Sequence, residues 1–429
     1  MLARGDVSCE QLVGACLARI DTREPQVQAW AFLDRERALA QAKAADEARK
    51  EGKGVGPLHG VPVGIKDIID TADMPTENGS PAFKGRQPFD DAACVTALRR
   101  AGAIIMGKTV TTELATLTPG VTRNPRNLEH TPGGSSSGSA AAVAAGMVPA
   151  ALGTQTGGSV IRPAAFCGVY GFKPTFGVIP RPGVLTQAQS LDTVGVYGRS
   201  VEDLALLTDA LQGYDARDSA TFASSHPRLL ATATEDWPLG GFFAFVKTHA
   251  WKDADAATHA AFGELVEHLG TRVHEVSIDH TTERGSAAAR TVQSVELASN
   301  YGPVLDRAPD LVSKMLAGRI EEGRRIKGTD YLAALNARAT YYGAIEDILR
   351  EYGTLLTPAA PGPAPKGLGS TGNPVFCAFW TYLGVPAVTL PLLEADGLPM
   401  GVQLIATRRD DGRLLRTARW LVRHLARAG

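Results

Sequence analysis

Polar and apolar positions follow one another along the chain in periods that predict its elements one by one. Ser8 opens a capping box with Gln11, and Leu12, Val13, Cys16, Leu17 and Ile20 then recur at helical spacing, so the chain begins with an amphipathic helix that needs a surface to pack on. A second helix, rich in alanine and charge, is predicted over about residues 36–51. GVPVGIKDII at 60–69 changes to a Val/Ile-rich strand pattern punctuated by glycine and proline, with Lys66 near its end. Ala92 to Ala101 reads as a helix, Ala103 to Met106 as an apolar strand, and Thr111 to Leu117 leads into a polar loop rich in Pro, Asn and Arg. FFAFV at 242–246, a helical stretch from Asp253 to Leu269 and RVHEVSI at 272–278 make another β-α-β unit. Residues 285–350 are mainly helical and polar, without turn clusters, and predict a cap or insertion. VTLP at 388–391 and MGVQLI at 400–405 are strands joined through Asp396-Gly397, and Leu414, Leu415, Ala418, Leu421, Val422 and Leu425 give a last helix one apolar face. This alternation predicts an α/β fold, a sheet covered by helices, in one domain over residues 1–429 with no repeat and no linker.

Composition narrows the class. With 429 residues, 44% of them hydrophobic and 21% charged, the chain has the makeup of a globule able to bury a sizeable core. The formal net charge of -1 supplies no field favouring nucleic acid, an anionic membrane or any polyionic partner. Local pairs such as Arg99-Arg100, Arg324-Arg325 and Arg408-Arg409 read as solvated faces. MLARGDVSCEQ has no apolar h-region, and the apolar stretch from Ala140 to Leu152 is broken by Gly146 and Pro149, short of the ~20 residues that span a bilayer. A cytoplasmic protein is expected. Cys9, Cys16, Cys94, Cys167 and Cys377 are scattered without a Cys-x-x-Cys pair, which argues for small buried hydrophobes and against a disulfide framework or a zinc site.

The chemistry concentrates in TPGGSSSGSAAAVAAGMVPAALGTQTGGSVIRPAAFCG, residues 131–168. Two Gly-Gly-Ser turns, at 133–135 and 157–159, flank an Ala-rich segment whose small side chains let backbones pack closely. Glycine permits backbone conformations closed to other residues and exposes N–H groups that can point at a developing negative charge. A flexible Gly/Ser linker would be polar throughout, whereas this stretch continues into AAAVAAG and VPAALG. A phosphate loop needs Lys-Ser or Lys-Thr after its glycines, and none follows. Gly134 to Gly138 also fits the G-x-S-x-G elbow of a Ser-His-Asp esterase, with Ser136 as nucleophile. That motif needs a strand directly before the turn, and RNPRNLEHTP at 123–132 is a polar loop with two prolines.

Segment 131–168, with GVPVGIKD at 60–67 and GFKPTFG at 171–177, resembles the amidase-signature family, and the resemblance extends with falling specificity to the GVPAVTLP and MGVQLIA strands. It implies an α/β/α core around a large twisted mixed sheet, with the catalytic core over 56–200, helices over 1–55 before it and strands and a helix over 351–429 after it. It also implies a Ser-Ser-Lys triad: Ser159 as nucleophile, Ser135 as the bridging serine beside a cis peptide bond and Lys66 as the buried base. The backbone N–H groups of Thr156, Gly157, Gly158 and Ser159 match an oxyanion hole.

The triad is chemically coherent. A serine hydroxyl is a poor nucleophile unless a neighbouring base takes its proton. No histidine lies in the motif core, where His59 and His130 only flank it, and a lysine can replace histidine if burial keeps it neutral. Lys66 in an apolar VPVGI strand suits that, and Asp67 should point to the opposite face and be structural.

Many relatives carry an acid four residues before the nucleophile and an arginine two after it, where this chain has Gln155 and Ile161. Arginine comes one position later, as Arg162, which resembles the malonamidase-like branch, where this arginine holds a substrate carboxylate. Arg162 either does that or is a structural partner. The expected reaction is cleavage of a small-molecule carboxamide, without metal or cofactor, to carboxylate plus ammonia or amine. The expected partner is that amide, with no nucleic acid and no membrane, and a homodimer stays open. The alternative within the family is an aminoacyl-tRNA amidotransferase A-type subunit, which works with a partner and delivers ammonia. The region 285–345 and GNPVFCAFWTYLG at 372–384 are expected pocket elements. A non-enzymatic interaction protein would have no need of all three triad residues.

Overall fold

The computed structural model describes residues 2–53, 56–237 and 240–427. Its strands are β1 (Trp30–Leu33), β2 (Pro62–Lys66), β3 (Ile104–Thr109), β4 (Ala150–Gln155), β5 (Tyr170–Lys173), β6 (Thr193–Gly198), β7 (Phe243–Lys247), β8 (Val273–Ser277), β9 (Leu355–Pro358), β10 (Ala387–Ala395) and β11 (Leu398–Ile405). They form one open 11-stranded sheet in the order β1-β3-β2-β4-β6-β5-β10-β11-β9-β7-β8. β2 runs parallel to β3 and β4, and β7 parallel to β8 and β9, while β4–β6, β6–β5, β5–β10 and β10–β11 are antiparallel, so the sheet is mixed.

Alternate strand residues pack on the two faces of the sheet. Ile104, Met106, Ala151 and Tyr197 pack against the helices Cys9–Val27, Arg35–Lys50 and Ser137–Ala144. Val63, Ile65, Ile105, Leu152, Val194 and Val196 face the other side, in a core they share with Ala93–Arg100, Val201–Leu211, Ala256–Leu269 and Asp411–Ala426. This is the helix-covered α/β sheet that the alternation predicts.

The local signals explain the element ends. Ser8 accepts from the N–H of Gln11 while Gln11 reaches back to the N–H of Ser8, the reciprocal box that starts the first helix and is worth about 1 kcal/mol. Asp396 and Gly397 both take positive φ, 51° and 72°, and close the β10–β11 hairpin. The expected mainly helical 285–350 is three helices, Asp279–Arg307, Lys314–Arg325 and Gly328–Tyr352, broken at 308–313 and 326–327.

Five strands, β1, β4, β5, β6 and β9, carry no clear signal in the sequence. β4 (AALGTQ) and β6 (TVGVYG) are buried throughout, so alternation vanishes, and their glycines lower strand propensity. Gly153 is where it is because a Cβ there would meet Ser136 Oγ and Tyr197 Cε2, each at 2.7 Å. All five cysteines are free and buried. Among the described residues no helix is long and apolar enough to cross a membrane.

Candidate active site

The parallel strands β2 and β4 end side by side, and their C-terminal ends carry the chemistry. Lys66, last residue of β2, is fully buried, its Nζ 2.7 Å from Ser135 Oγ and 2.9 Å from Thr154 Oγ1 on β4. Burial holds this lysine well below its ordinary value of 10.5, with the Asp192 carboxylate acting the other way. Asp67 turns elsewhere: its carboxylate lies 3.7 Å from Lys108 Nζ, and burial pushes it up to about 6 against the pull of that ammonium. The lysine and the aspartate therefore have separate partners, but strand alternation is not the cause: β2 ends at Lys66, and Asp67 already lies in the turn that follows.

The peptide bond Gly134-Ser135 is cis. Helix Ser137–Ala144 begins just after it and, built of small residues, is buried along its whole length except Ala144. Ser136 has its hydroxyl on the backbone of Thr154, donating to the carbonyl and accepting from the N–H, each at 3.2 Å. His130 Nδ1 lies 2.7 Å from the Ala364 carbonyl, and among the described residues no hydrogen bond joins His130 to Ser136.

Beyond β4 the chain makes the turn Thr156-Gly157-Gly158-Ser159 and enters helix Ile161–Cys167. Among the described residues the N–H groups of Gly157, Gly158 and Ser159 have no backbone partner, and Ser159 is half-buried. Side chains hold the turn from several directions. Gln155 Oε1 accepts from the N–H of Val160 at 2.8 Å and of Ile161 at 3.0 Å, and its Nε2 donates to Thr381 Oγ1 at 2.9 Å. Thr381 Oγ1 in turn donates to the Gly157 carbonyl at 2.6 Å, and Tyr197 donates to the Ser159 carbonyl at 3.0 Å. Thr156 Oγ1 donates to Asp192 Oδ1 at 2.5 Å. Gly158 has no room for a side chain, because a Cβ would meet Cys377 Cβ at 2.9 Å and Arg162 Nη1 at 3.1 Å.

Arg162 is buried beneath this turn. Its Nε donates to the Thr371 carbonyl at 2.7 Å and its Nη2 to the Gly134 carbonyl at 2.7 Å and Thr371 Oγ1 at 3.2 Å, and burial lowers its pKa to about 10. A cavity of about 690 Å³ opens beside the turn, reaching Thr156 and bounded by Asn373, Pro374 and Val375. The helices Asp279–Arg307 and Lys314–Arg325 wall its other side with Arg290 and Arg319 among others. Both expected pocket segments thus border the cavity, while Arg162 does not line it. Sequence reasoning does not reach Gln155, Thr381, Thr371 and Asp192 as supports of the turn, because no local pattern ties residues up to 226 positions apart.

An open mixed sheet whose strand ends bring together a buried lysine, the serine it touches and a Gly-Gly-Ser turn defines an enzyme acting on carbon–nitrogen amide bonds. The protein-family profile described as Amidase matches residues 11–415, and the chain belongs to that family. It is similar to the A subunit of the glutamyl-tRNA(Gln) amidotransferase of Chloroflexus aggregans, 34% identical over 459 aligned positions covering 97% of this chain and 93% of that one. It is also similar to the corresponding protein of Rhodopirellula baltica, at 36% with the same coverage. Among solved structures, one described as a vestigial complex revealing the origins of an s-triazine catabolic enzyme superposes with a TM-score of 0.92 at 30% identity, covering 99% of this chain and 96% of that one. The peptide amidase of Stenotrophomonas maltophilia gives 0.84 at 28%, covering 99% and 95%.

Proposed function

We propose that the chain hydrolyses a carboxamide through a Ser159 acyl-enzyme, with Ser135 as bridge and Lys66 as base. The observation that carries this reading is the 2.7 Å approach of a fully buried Lys66 Nζ to Ser135 Oγ, beside the strand that leads into the turn bearing Ser159. As Ser159 Oγ attacks the amide carbon, its proton passes to Ser135 Oγ while Ser135 gives its own to neutral Lys66. The N–H groups of the turn, from Thr156 to Ser159, stabilise the oxyanion that forms. The lysine proton then returns through Ser135 to the leaving nitrogen, the C–N bond breaks, and ammonia or an amine departs. Water repeats the relay on the acyl-enzyme, releasing the carboxylate and restoring Ser159. A fluorophosphonate should attach to Ser159 in intact-protein and peptide mass spectrometry, and attachment at Ser136 would instead support the esterase reading.

The similarity to amidotransferase relatives supports an A-type role, in which the ammonia is handed to a companion rather than released. A free-standing amidase is the second reading. It is favoured by the likeness to a peptide amidase. Ammonia release from glutamine and simple carboxamides by the purified chain, with and without co-purified companions, separates the two.

The contacts of Arg162 favour the structural one of its two roles, clamping Gly134 to Thr371. Arg319, half-buried at the cavity wall beside Arg290, is better placed to meet a substrate carboxylate. Arg162→Ala should lower the melting temperature through a loss of about 2–4 kcal/mol from its stranded carbonyls, and depress turnover on every amide alike. Arg319→Gln should raise KM roughly tens-fold for carboxylate-bearing amides, about 2 kcal/mol of charge-assisted contact, and leave neutral amides unchanged. Kinetics on paired anionic and neutral amides, with melting curves of both variants, check this.

A further inference from the structure

Asp192, immediately before β6, is 7% exposed, and among the described residues its carboxylate has no cationic partner in ion-pair range. The nearby Arg181 spends its guanidinium on Asp218, at 2.7 Å, and on the main-chain carbonyls of Gln189 and Asp192. The carboxylate is held by donors alone: the N–H groups of Gln187 and Ala188 reach Oδ2 at 2.8 and 2.9 Å, and the Thr156 hydroxyl reaches Oδ1 at 2.5 Å. A void of about 10 Å³ is bounded by Thr154, Thr156 and Asp192, so the threonine that touches Lys66 Nζ and the carboxylate line one small space.

We propose that Asp192 is a positioning residue for amide cleavage, holding the nucleophile turn through Thr156 and supplying the buried negative charge against which Lys66 takes up its proton. The inference rests on the Ser-Ser-Lys reading above. In that relay Lys66 becomes an ammonium in each half-reaction, and an ammonium in a dry interior is costly unless a charge nearby opposes it. A carboxylate whose oxygens are already satisfied by fixed donors can meet that need without reorganising. The titratable groups that face Asp192 are Lys66, Arg181 behind its main chain, and the buried Tyr301. Burial raises Asp192 to about 6 while the Thr156 hydroxyl, the two N–H groups and Arg181 pull it back, so the charge is in place above that pH.

The test is the pH dependence of the fluorophosphonate labelling rate. In the native protein the rate should rise with pH as Lys66 loses its proton. In Asp192→Asn the opposing charge is gone, Lys66 ionises at lower pH, and the midpoint should move about one unit to the acid side. The plateau rate should fall about tenfold or more, because the protonated lysine is no longer stabilised. Loss of a merely structural residue would slow labelling without moving the midpoint, so an unmoved midpoint in folded Asp192→Asn overturns the proposal. A native protein labelled elsewhere, or with a flat profile, refutes the triad reading instead. If Asp192→Asn does not fold, Thr156→Val decides: labelling slowed several-fold and restored in Thr156→Ser supports the link, and a rate equal to the native one overturns it.

Discussion

Lys66→Ala should lose turnover by about three to four powers of ten while the chain still folds, because it removes the base and leaves the oxyanion donors and the cavity in place. The pH behaviour identifies the lysine as the cause. Only neutral Lys66 can accept a proton, and its value lies well below 10.5, so kcat/KM should climb with pH and level off once Lys66 is neutral. Stability carries the same signature. Between the lowered value and 10.5 the unfolded chain binds a proton at this site that the native chain does not, so stability rises with pH across that window. Lys66→Ala should lack that part of the slope. Lys108 and Lys173, lowered by burial to about 8 and about 7, contribute to both proteins and cancel in the difference. Melting curves of both proteins at several pH values, beside kcat/KM, measure it. Unchanged turnover in a folded Lys66→Ala protein would falsify the triad.

Ser159→Ala should be at least as damaging, and should abolish fluorophosphonate labelling altogether, because the other hydroxyl of the turn, that of Thr156, is committed to Asp192. Ser135→Ala should retain more activity. With the bridging hydroxyl gone, a water can join Ser159 to Lys66, so a residual rate roughly ten- to a hundredfold above that of Ser159→Ala is expected. Turnover of the two variants on one amide checks the order. Equal loss would mean that the Ser135 hydroxyl cannot be substituted.

Sequence and fold agree where information is local. The capping box at Ser8 and the Asp396-Gly397 hairpin depend on residues a few positions apart, and β7, its helix and β8 each carry their own short pattern, so all are readable. The candidate triad is proposed from a resemblance carried by short local motifs, the strand-borne lysine and the two Gly-Gly-Ser turns. What holds the turn is not readable. Asp192 gives no sign in SLDTVG that it will meet Thr156, and Arg162 finds its partner Thr371 209 residues away. Strands β5, β6 and β9 are hidden for a related reason: a strand buried on both faces loses the alternation that marks it, and its place in the sheet is set by neighbours from distant parts of the chain.

The Gln155 side chain is itself a primary carboxamide, the same chemical group the chain is proposed to cut. It sits four residues from the proposed nucleophile. Its oxygen already receives the N–H groups of Val160 and Ile161, and its nitrogen is committed to Thr381. Moving this amide toward the proposed oxyanion site would break all three bonds, so the contacts that make Gln155 useful as structure also hold its carboxamide in place.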